Sequence, residues 1–167
     1  AMLAAKNGQT AHMIIKINAL TDVQLAQQLI AAGRAGVQID LIIRGACILP
    51  VDATGLDGRV RVRSIVGRLL EHSRVFYFNI NGTEQMWLSS ADWMSRNMMR
   101  RVEIAWPIES QEHRARILRE CCQLYLQDQQ DAWLLQENGV YVLARESVAE
   151  QDAPQKAAEK TSAQLAL

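Results

Sequence analysis

Short apolar runs separated by turn signals predict an α/β fold. Residues 12–17 (HMIIKI) and 37–43 (VQIDLII) are rich in β-branched side chains and predict two buried strands. Between them, Thr21 and Gln24 have the spacing of a capping box, with the Thr21 hydroxyl at the N-cap, and predict a helix that ends between residues 33 and 36. A strand, a helix and a strand in this order form a βαβ unit, which implies parallel strand pairing.

The middle of the chain predicts further strands. Residues 59–65 (RVRVRSI) alternate strictly, so their valines should face the core while their arginines share the other face. Residues 74–78 and 85–89 flank Asn81-Gly82, a strong hairpin signal. Another strand is expected over residues 102–106, stopping at the following proline.

The C-terminal third predicts one long helix followed by a tail. Ser110 should cap a helix that reaches Leu135, and Asn138-Gly139 should end it. From Arg145 onward the chain is polar and lacks periodicity, which predicts disorder. We therefore expect one domain over residues 1–144 and a disordered tail over residues 145–167. The predicted architecture is a mixed β-sheet with flanking helices and a long C-terminal helix.

Composition excludes several classes of protein. The chain is 49% apolar and 22% charged, which is typical of a globular protein, and no stretch approaches the length of a membrane span. No secretory signal is apparent. The three cysteines, Cys47, Cys121 and Cys122, lack metal-ligand spacing, so no metal site is expected in this chain and a reduced, cytoplasmic setting is favoured.

The charge is balanced overall but unevenly distributed. The formal net charge of +0 argues against a general nucleic-acid binder. Fourteen of the 18 basic residues are arginine, and five of these lie between Arg59 and Arg74. Because arginine grips phosphate with two parallel hydrogen bonds, the cluster indicates a compact polyanion as ligand. A solvated strand face with helix-paired charges explains the same pattern equally well.

His72 is the first candidate for chemistry. It lies among arginines just before a predicted strand, where it could accept a phosphoryl group, protonate a leaving oxygen or donate a hydrogen bond to phosphate. The alternative is a half-buried histidine bonded to a backbone carbonyl. Arg44 follows the second predicted strand, and ligands of such sheets gather at the carboxyl ends of the strands.

A second cluster of polar residues follows the predicted hairpin, within residues 89–97. These groups could orient a histidine and bind phosphate oxygens: Ser90, Asp92, Arg96 and Asn97. Alternatively, Asp92 is only a helix N-cap. Glu103 either continues this network or pairs with Arg101 or another neighbour. The commonest glycine-loop, serine-elbow and metal motifs are absent from the sequence, which favours phosphate chemistry based on histidine and arginine.

Four segments resemble the C-terminal catalytic domain of the polyphosphate kinase family. They are IKINALTD (15–22), AGVQIDLIIRGAC (35–47), RVRVRSIVGRLLEHSRVFYF (59–78) and LSSADWMSRNMMRRVEI (88–104). That family is related in fold to phospholipase D enzymes, in which two similar halves each offer a histidine motif to one site. The resemblance therefore implies a phospholipase D-like half-domain, with His72-Ser73-Arg74 as its histidine motif and arginine in place of the usual lysine. Ser90, Asp92 and Arg96-Asn97 are similar to the downstream polar motif, with aspartate where phospholipases often have asparagine.

The resemblance also implies an activity. Family members reversibly transfer the terminal phosphate of ATP to polyphosphate with Mg²⁺, and they tend to assemble as homo-oligomers. Arg44 and His72 match residues that contact the nucleotide phosphates, and Arg68 and Asn18 are assigned to the same surface. The family's phosphorylated histidine lies in the preceding domain. His72 is then the partner histidine, most magnesium and adenine contacts lie upstream, and the isolated chain holds an inactive half-site.

Two alternatives remain open on the sequence. One is a phospholipase D-like phosphodiesterase that acts as a homodimer and pairs two copies of His72. The other is a module that binds polyanions without catalysis.

Overall fold

The computed structural model describes residues 1–52, 55–149, 162–164 and 166. Within these residues the strands are β1 Ala11–Ile17, β2 Gln38–Ile43, β3 Val60–Ile65, β4 Val75–Ile80, β5 Thr83–Ser89, β6 Ala105–Pro107, β7 Ala132–Leu135 and β8 Tyr141–Leu143. They form one mixed sheet in the order β6-β5-β4-β1-β2-β3-β7-β8. The pairs β1–β2 and β2–β3 are parallel and the others are antiparallel.

Helices cover both faces of this sheet. They are α1 Met2–Lys6, α2 Val23–Arg34, α3 Ser95–Arg100, α4 Gln111–Ile117, α5 Leu124–Gln127 and α6 Ala144–Ala149, with a π-helical segment Leu118–Gln123 between α4 and α5. On one face, Leu29 of α2 packs in a core with Ile39 and Val60. On the other face, Cys122 of the π-helical segment and Tyr125 of α5 pack in a second core with residues of the sheet. The chain is thus a three-layer α/β fold with two cores.

The predicted βαβ unit is confirmed. Strands β1 and β2 pair in parallel from His12 opposite Gln38 to Ile17 opposite Ile43, and α2 connects them. The predicted cap is shifted by one residue: Asp22 rather than Thr21 is the N-cap, and its Oδ1 accepts the Leu25 amide at 3.1 Å. A carboxylate at this position also interacts favourably with the positive end of the helix dipole, which explains why Asp22 replaces the hydroxyl.

The hairpin prediction is also confirmed. Strands β4 and β5 pair antiparallel, and Asn81 and Gly82 between them have φ values of 50° and 81°. Two successive positive φ values are what a tight two-residue hairpin turn requires. In β3, Val60 and Val62 are 3% and 2% exposed, so their predicted inward orientation is correct.

The long helix predicted from Ser110 to Leu135 is wrong over its last eight residues, 128–135. Ser110 does cap it, since its Oγ accepts the His113 amide at 3.3 Å, but helical structure ends at Gln127. Asp128 then adopts an extended conformation, and its Oδ1 accepts the amides of Gln130 and Asp131. This side-chain turn competes with the helix and redirects the backbone. The following apolar residues form β7 against β3, and Asn138-Gly139 is the turn between β7 and β8, not a helix stop.

The two remaining differences between prediction and structure concern the strand before Pro107 and the C-terminal tail, where the hydrophobic periodicity is weak. The strand predicted over residues 102–106 is the short β6, which includes Pro107; proline is tolerated there because β6 is an edge strand. The tail predicted to be disordered from Arg145 begins with α6, and residues 162–164 make hydrogen bonds to the domain, so the prediction is wrong for both segments. Its remaining part, residues 150–161 with 165 and 167, lies outside the described residues. None of the helices in the described residues is long and apolar enough to cross a membrane.

Candidate functional site

The topology brings the predicted site residues to one edge of the sheet. Asn18 follows the end of β1, and Arg44 follows the end of the parallel strand β2. Because β4 is antiparallel to β1, its first residue lies beside the end of β1, so Arg74 reaches the same edge. Strand β5 is antiparallel to β4 and ends there too, which brings in Asp92 from the loop that follows it. This carboxyl edge, formed by Asn18, Arg44, Arg74 and Asp92, is the candidate site.

Asp92 accepts hydrogen bonds from two other residues of the carboxyl edge, Asn18 and Arg74. Its Oδ1 accepts the backbone amide of Asn18 at 2.7 Å and the Asn18 Nδ2 at 3.1 Å. Arg74 donates from Nε to Oδ1 at 2.9 Å and from Nη2 to Oδ2 at 3.0 Å. Burial alone would raise the pKa of Asp92, but the hydrogen bonds from Arg74 and Asn18 outweigh it and hold the pKa below its usual value. The N-cap of α3 is Met94, so the alternative that Asp92 is only a helix N-cap is wrong.

His72 lies at the outside of this cluster. Its ring is exposed to solvent, and Nε2 lies 3.4 Å from Nη2 of Arg74. The alternative of a half-buried histidine bonded to a backbone carbonyl is therefore wrong. Arg74 links the His72 ring to the buried Asp92. Arg74 is therefore fixed, while the exposed His72 ring is free to contact a ligand.

Glu71, next to His72, anchors the loop from the other side. Its Oε1 accepts the Ser73 amide at 2.8 Å and the Ser73 hydroxyl, and its Oε2 accepts the Tyr125 hydroxyl at 3.0 Å. Lys16 Nζ lies 3.5 Å from Oε1. Burial would raise the pKa of Glu71, but the bonds from Ser73, the charge of Lys16 and the bond from Tyr125 together lower it to about 2. Glu71 is thus an ionised, fully engaged carboxylate that fixes the backbone beside His72.

Lys16 lies beside the candidate site and was not singled out from the sequence. Its side chain is 4% exposed, and its ammonium lies 3.4 Å from the centre of the Tyr125 ring, a cation–π contact. Burial lowers the pKa of Lys16, and Glu71 partly offsets this. The signal in the sequence was a single lysine inside the apolar run of β1; Glu71 and Tyr125 gave no comparable signal.

Arg44 has one buried guanidinium nitrogen without a hydrogen-bond partner among the described residues. Its Nη1 is buried and makes no hydrogen bond to any described residue. The Arg44 residue borders a cavity of about 10 Å³, which is the size of a single water. The polar side chains around that cavity are Lys16, Asn18, Arg44, Glu71, Ser73 and Tyr125. Since the cavity is too small for a phosphate, an anion would have to bind at the open edge above it.

The predicted polar loop divides into two separate networks. Asp92 belongs to the carboxyl edge, whereas Ser90 and Asn97 hold Glu103, the latter through Asn97 Nδ2 at 2.6 Å from Oε1. These two bonds hold the pKa of Glu103 below its usual value. Of the two alternatives for Glu103, continuation of the network is therefore correct. Asn97 Oδ1 is buried without a hydrogen bond to the described residues.

Two predicted residues are not brought together with the others. Arg68 lies on the exposed loop before His72, and Arg96 is exposed on α3. Neither makes a hydrogen bond or ion pair to the rest of the described chain.

The arginine-rich strand is largely committed to internal partners. Arg61 pairs with Asp40 at 2.8 Å, and Arg63 Nη1 donates to the backbone carbonyls of Tyr125 and Asp128. Arg59 pairs with Asp57. Arg61 and Arg59 are thus paired with carboxylates on a strand and in a turn, not on a helix, and Arg63 is held by backbone carbonyls.

The carboxyl edge does not fit a resident metal ion. The described residues contain no group of three histidine, cysteine, aspartate or glutamate side chains arranged to bind one. The nearest carboxylates, Asp92 and Glu71, are already engaged by Arg74 and by Lys16. No step of the chemistry is therefore assigned to a metal held by this chain.

The fold matches the phospholipase D class. A phospholipase D family member, Nuc from Salmonella typhimurium, superposes with a TM-score of 0.51 over 75% of this chain and 84% of its own, at 14% identity, which shows the fold alone. The family model described as "Polyphosphate kinase C-terminal domain 2" matches residues 1–155 of this chain. The chain therefore belongs to the polyphosphate kinase family, as its sequence resemblance implied.

Individual relatives belong to the same family. The polyphosphate kinase of Paraburkholderia phytofirmans is 48% identical over 137 residues, which is 82% of this chain and 20% of the relative. That of Neisseria meningitidis serogroup B is 46% identical over 149 residues, or 89% and 22%. The crystal structure of polyphosphate kinase from Porphyromonas gingivalis superposes with a TM-score of 0.86 at 33% identity, covering 99% of this chain and 24% of that one. The chain spans about a fifth of the length of the curated relatives it matches.

Proposed function

We propose that this chain supplies one half of a phosphotransferase active site that reversibly transfers the terminal phosphate of ATP to inorganic polyphosphate. The observation that carries the proposal is the unpaired, buried Nη1 of Arg44 at the same sheet edge as the exposed ring of His72. The Arg44 side chain is only half-buried and makes no ion pair with a described residue, so an anion bound at the open edge would lie beside an uncompensated guanidinium charge.

The chemistry follows from the charge of the transition state. A transferring phosphoryl group spreads negative charge over its equatorial oxygens, so catalysis relies on positioning and electrostatic stabilisation. In this proposal Arg44 binds those oxygens, and His72 protonates or stabilises the leaving oxygen. The nucleophile that accepts the phosphoryl group comes from the upstream domains, because His72 is the partner histidine and not the covalent carrier.

The other residues of the edge have supporting roles in this proposal. Asn18 is already bonded to Asp92, so its contribution is to hold the end of β1 in place. Arg68 is exposed and unpaired among the described residues, which suits it to attract a polyanion to the loop. Ser90 and Asn97 hold Glu103, whose negative charge acts on Arg74 of the edge, and Arg96 adds an exposed positive charge on α3.

Cofactor, partners and location complete the proposal. The Mg²⁺ of the reaction would be held mainly by upstream domains, since no described cluster in this chain fits it. The partners are ATP or ADP, polyphosphate, those upstream domains and further copies of the enzyme. The three cysteines are free, which suits a cytoplasmic enzyme.

Calorimetric titration of the chain tests the anion site. We expect tripolyphosphate and ATP to bind, and Arg44→Ala to weaken both at least tenfold. Arg116→Ala is the matched control, because it removes the same charge from an exposed helical ion pair with Glu120. Equal weakening by both substitutions would contradict a specific site. Stronger binding of a phosphodiester oligonucleotide than of tripolyphosphate would favour the phosphodiesterase alternative.

A further inference from the structure

The segment of residues 162–164 is packed into the domain. Ser162 Oγ donates to Asp131 Oδ2 at 2.7 Å, and the Ala163 amide donates to Asp128 Oδ2 at 2.7 Å. Ala163 and Asp128 are both fully buried. Because a buried carboxylate receives its backbone amide, the segment is held in one register on the domain surface.

Gln164 extends from this segment to the loop that carries His72. Its Oε1 accepts the Leu69 amide at 2.9 Å, and its Nε2 donates to the Leu69 carbonyl at 2.7 Å. One side-chain amide thus pairs with both backbone groups of one residue. Gly67 allows this approach, because a Cβ there would lie 2.7 Å from Gln164 Cδ.

The rest of this loop has few contacts of its own. Between β3 and β4, Val66, Leu69 and Leu70 are 62%, 63% and 78% exposed. Apart from Gln164, the anchor of the loop is Glu71, which Ser73, Tyr125 and Lys16 hold. The loop therefore has one anchor next to His72 and a second one three residues before it.

We propose that Gln164 is a positioning residue: it fixes the loop that carries Arg68 and His72, so that the C-terminal segment helps to set the geometry of the carboxyl edge. The consequence for catalysis rests on the function proposed above. A displacement of about 1 Å can cost roughly 100-fold in rate when positioning dominates catalysis. The loop would otherwise open locally, since exposed backbone bonds with few apolar contacts are the least stable parts of a fold.

Limited trypsin digestion of the chain tests the restraint directly. Trypsin cuts after arginine, and the Arg68–Leu69 bond lies within the restrained part of the loop. When local opening is fast, cleavage follows the population of the open state. We expect Gln164→Ala to raise the cleavage rate after Arg68 at least about fivefold, because two hydrogen bonds are lost. Gln164→Glu keeps the acceptor for the Leu69 amide and should give an intermediate rate.

Two controls make the result specific. Gln27→Ala removes an exposed glutamine on α2 and should leave all cleavage rates unchanged. Cleavage after Arg100, at the end of α3, reports opening elsewhere and should not respond to Gln164→Ala. An unchanged rate after Arg68 would overturn the proposal. So would an equal increase at Arg68 and Arg100 with a lower melting temperature, because it would mean general destabilisation.

Kinetics with the upstream domains present separates this inference from the proposed function. We expect Gln164→Ala to lower kcat about tenfold or more with little change in KM, because the loop is misplaced and not removed. Full activity of Arg44→Ala and His72→Ala beside faster cleavage after Arg68 in Gln164→Ala would contradict the proposed function and leave the restraint standing. Unchanged kcat and unchanged cleavage in Gln164→Ala, with both other variants inactive, would contradict the restraint alone.

Discussion

Arg74 and Asp92 form a two-pronged ion pair, with Nε to Oδ1 at 2.9 Å and Nη2 to Oδ2 at 3.0 Å. The two side chains are 12% and 10% exposed. The pair joins the start of β4 to the loop after β5, and the same carboxylate receives the Asn18 amide from the end of β1. Three elements of the site edge are thus held by one carboxylate.

Removal of that carboxylate should therefore be costly. Asp92→Ala leaves the largely buried Arg74 guanidinium without its counter-charge, and we expect a loss of about 3 kcal/mol in the free energy of unfolding. Urea denaturation measures it. Arg116→Ala is the control, because Arg116 is 72% exposed and its pair with Glu120 should contribute less than about 1 kcal/mol. Equal losses in the two variants would contradict the central role of Asp92.

The pH dependence of stability should report Glu71. Its pKa is about 2 in the folded chain and near its ordinary value of 4.5 in the unfolded chain. Between these values the unfolded state binds a proton that the folded state does not, so this contribution is fully present above pH 4.5 and is lost as the pH falls towards 2. We expect Glu71→Gln to show a smaller decrease in unfolding free energy over that range. Asp92 titrates in both proteins, so the difference between them isolates Glu71; parallel curves would contradict the assignment.

Lys16 should contribute to the low pKa of Glu71. In Lys16→Met the nearby positive charge is lost while the apolar stem is largely kept, so the pKa of Glu71 should rise. The stability of the variant should then begin to fall at a higher pH than that of the wild-type chain. Lys6→Met, on the exposed α1, is the matched control. Acid titration followed by circular dichroism measures both, and identical midpoints would show that the Lys16 charge does not act on Glu71.

Much of the fold could be predicted because the pattern of each element agrees with its burial. The alternation in β3, the apolar runs of β1 and β2 and the Asn81-Gly82 turn each gave a local signal that the tertiary structure preserves. The error after Gln127 has a different origin. Residues 132–135 fit a helix period as well as a strand, and pairing with β3 decides between the two.

The site was predictable only in part. Asn18, Arg44, His72 and Asp92 stand at strand ends or in turns, where polar residues attract attention. Tyr125 gave no signal, because it comes from a helix about fifty residues later in the chain and meets Glu71 only through packing. The sequence also did not indicate that Asp92 and the Ser90–Asn97 pair belong to different hydrogen-bond networks. Nine adjacent residues carry no information about which partner each of them will bond.

Gly45 should be required at the site because of backbone crowding. Its amide donates to the Asn18 carbonyl at 2.7 Å, and an added Cβ would lie 2.9 Å from that same oxygen. Gly45→Ala should therefore displace Asn18 and destabilise the chain by about 1–3 kcal/mol. Ala46→Ser, at the exposed neighbouring position, should have little effect. Thermal denaturation compares the two, and a neutral Gly45→Ala would mean that the strand ends can move apart freely.

Arg44 and His72 should affect turnover much more than folding. With the upstream domains present, Arg44→Ala should lower kcat at least about 100-fold, since one arginine on a transferring phosphoryl group can contribute 10³–10⁵ in rate. The fold should survive, because Arg44 Nη1 makes no hydrogen bond within the described chain and His72 is exposed. His72→Ala should abolish net transfer while the upstream nucleophile can still be phosphorylated, which radiolabelled ATP and acid-stability of the label would reveal. Arg116→Ala should keep full activity. Near-normal kinetics in Arg44→Ala would remove it from the site, whereas loss of labelling in His72→Ala would move His72 from the partner role to the first step.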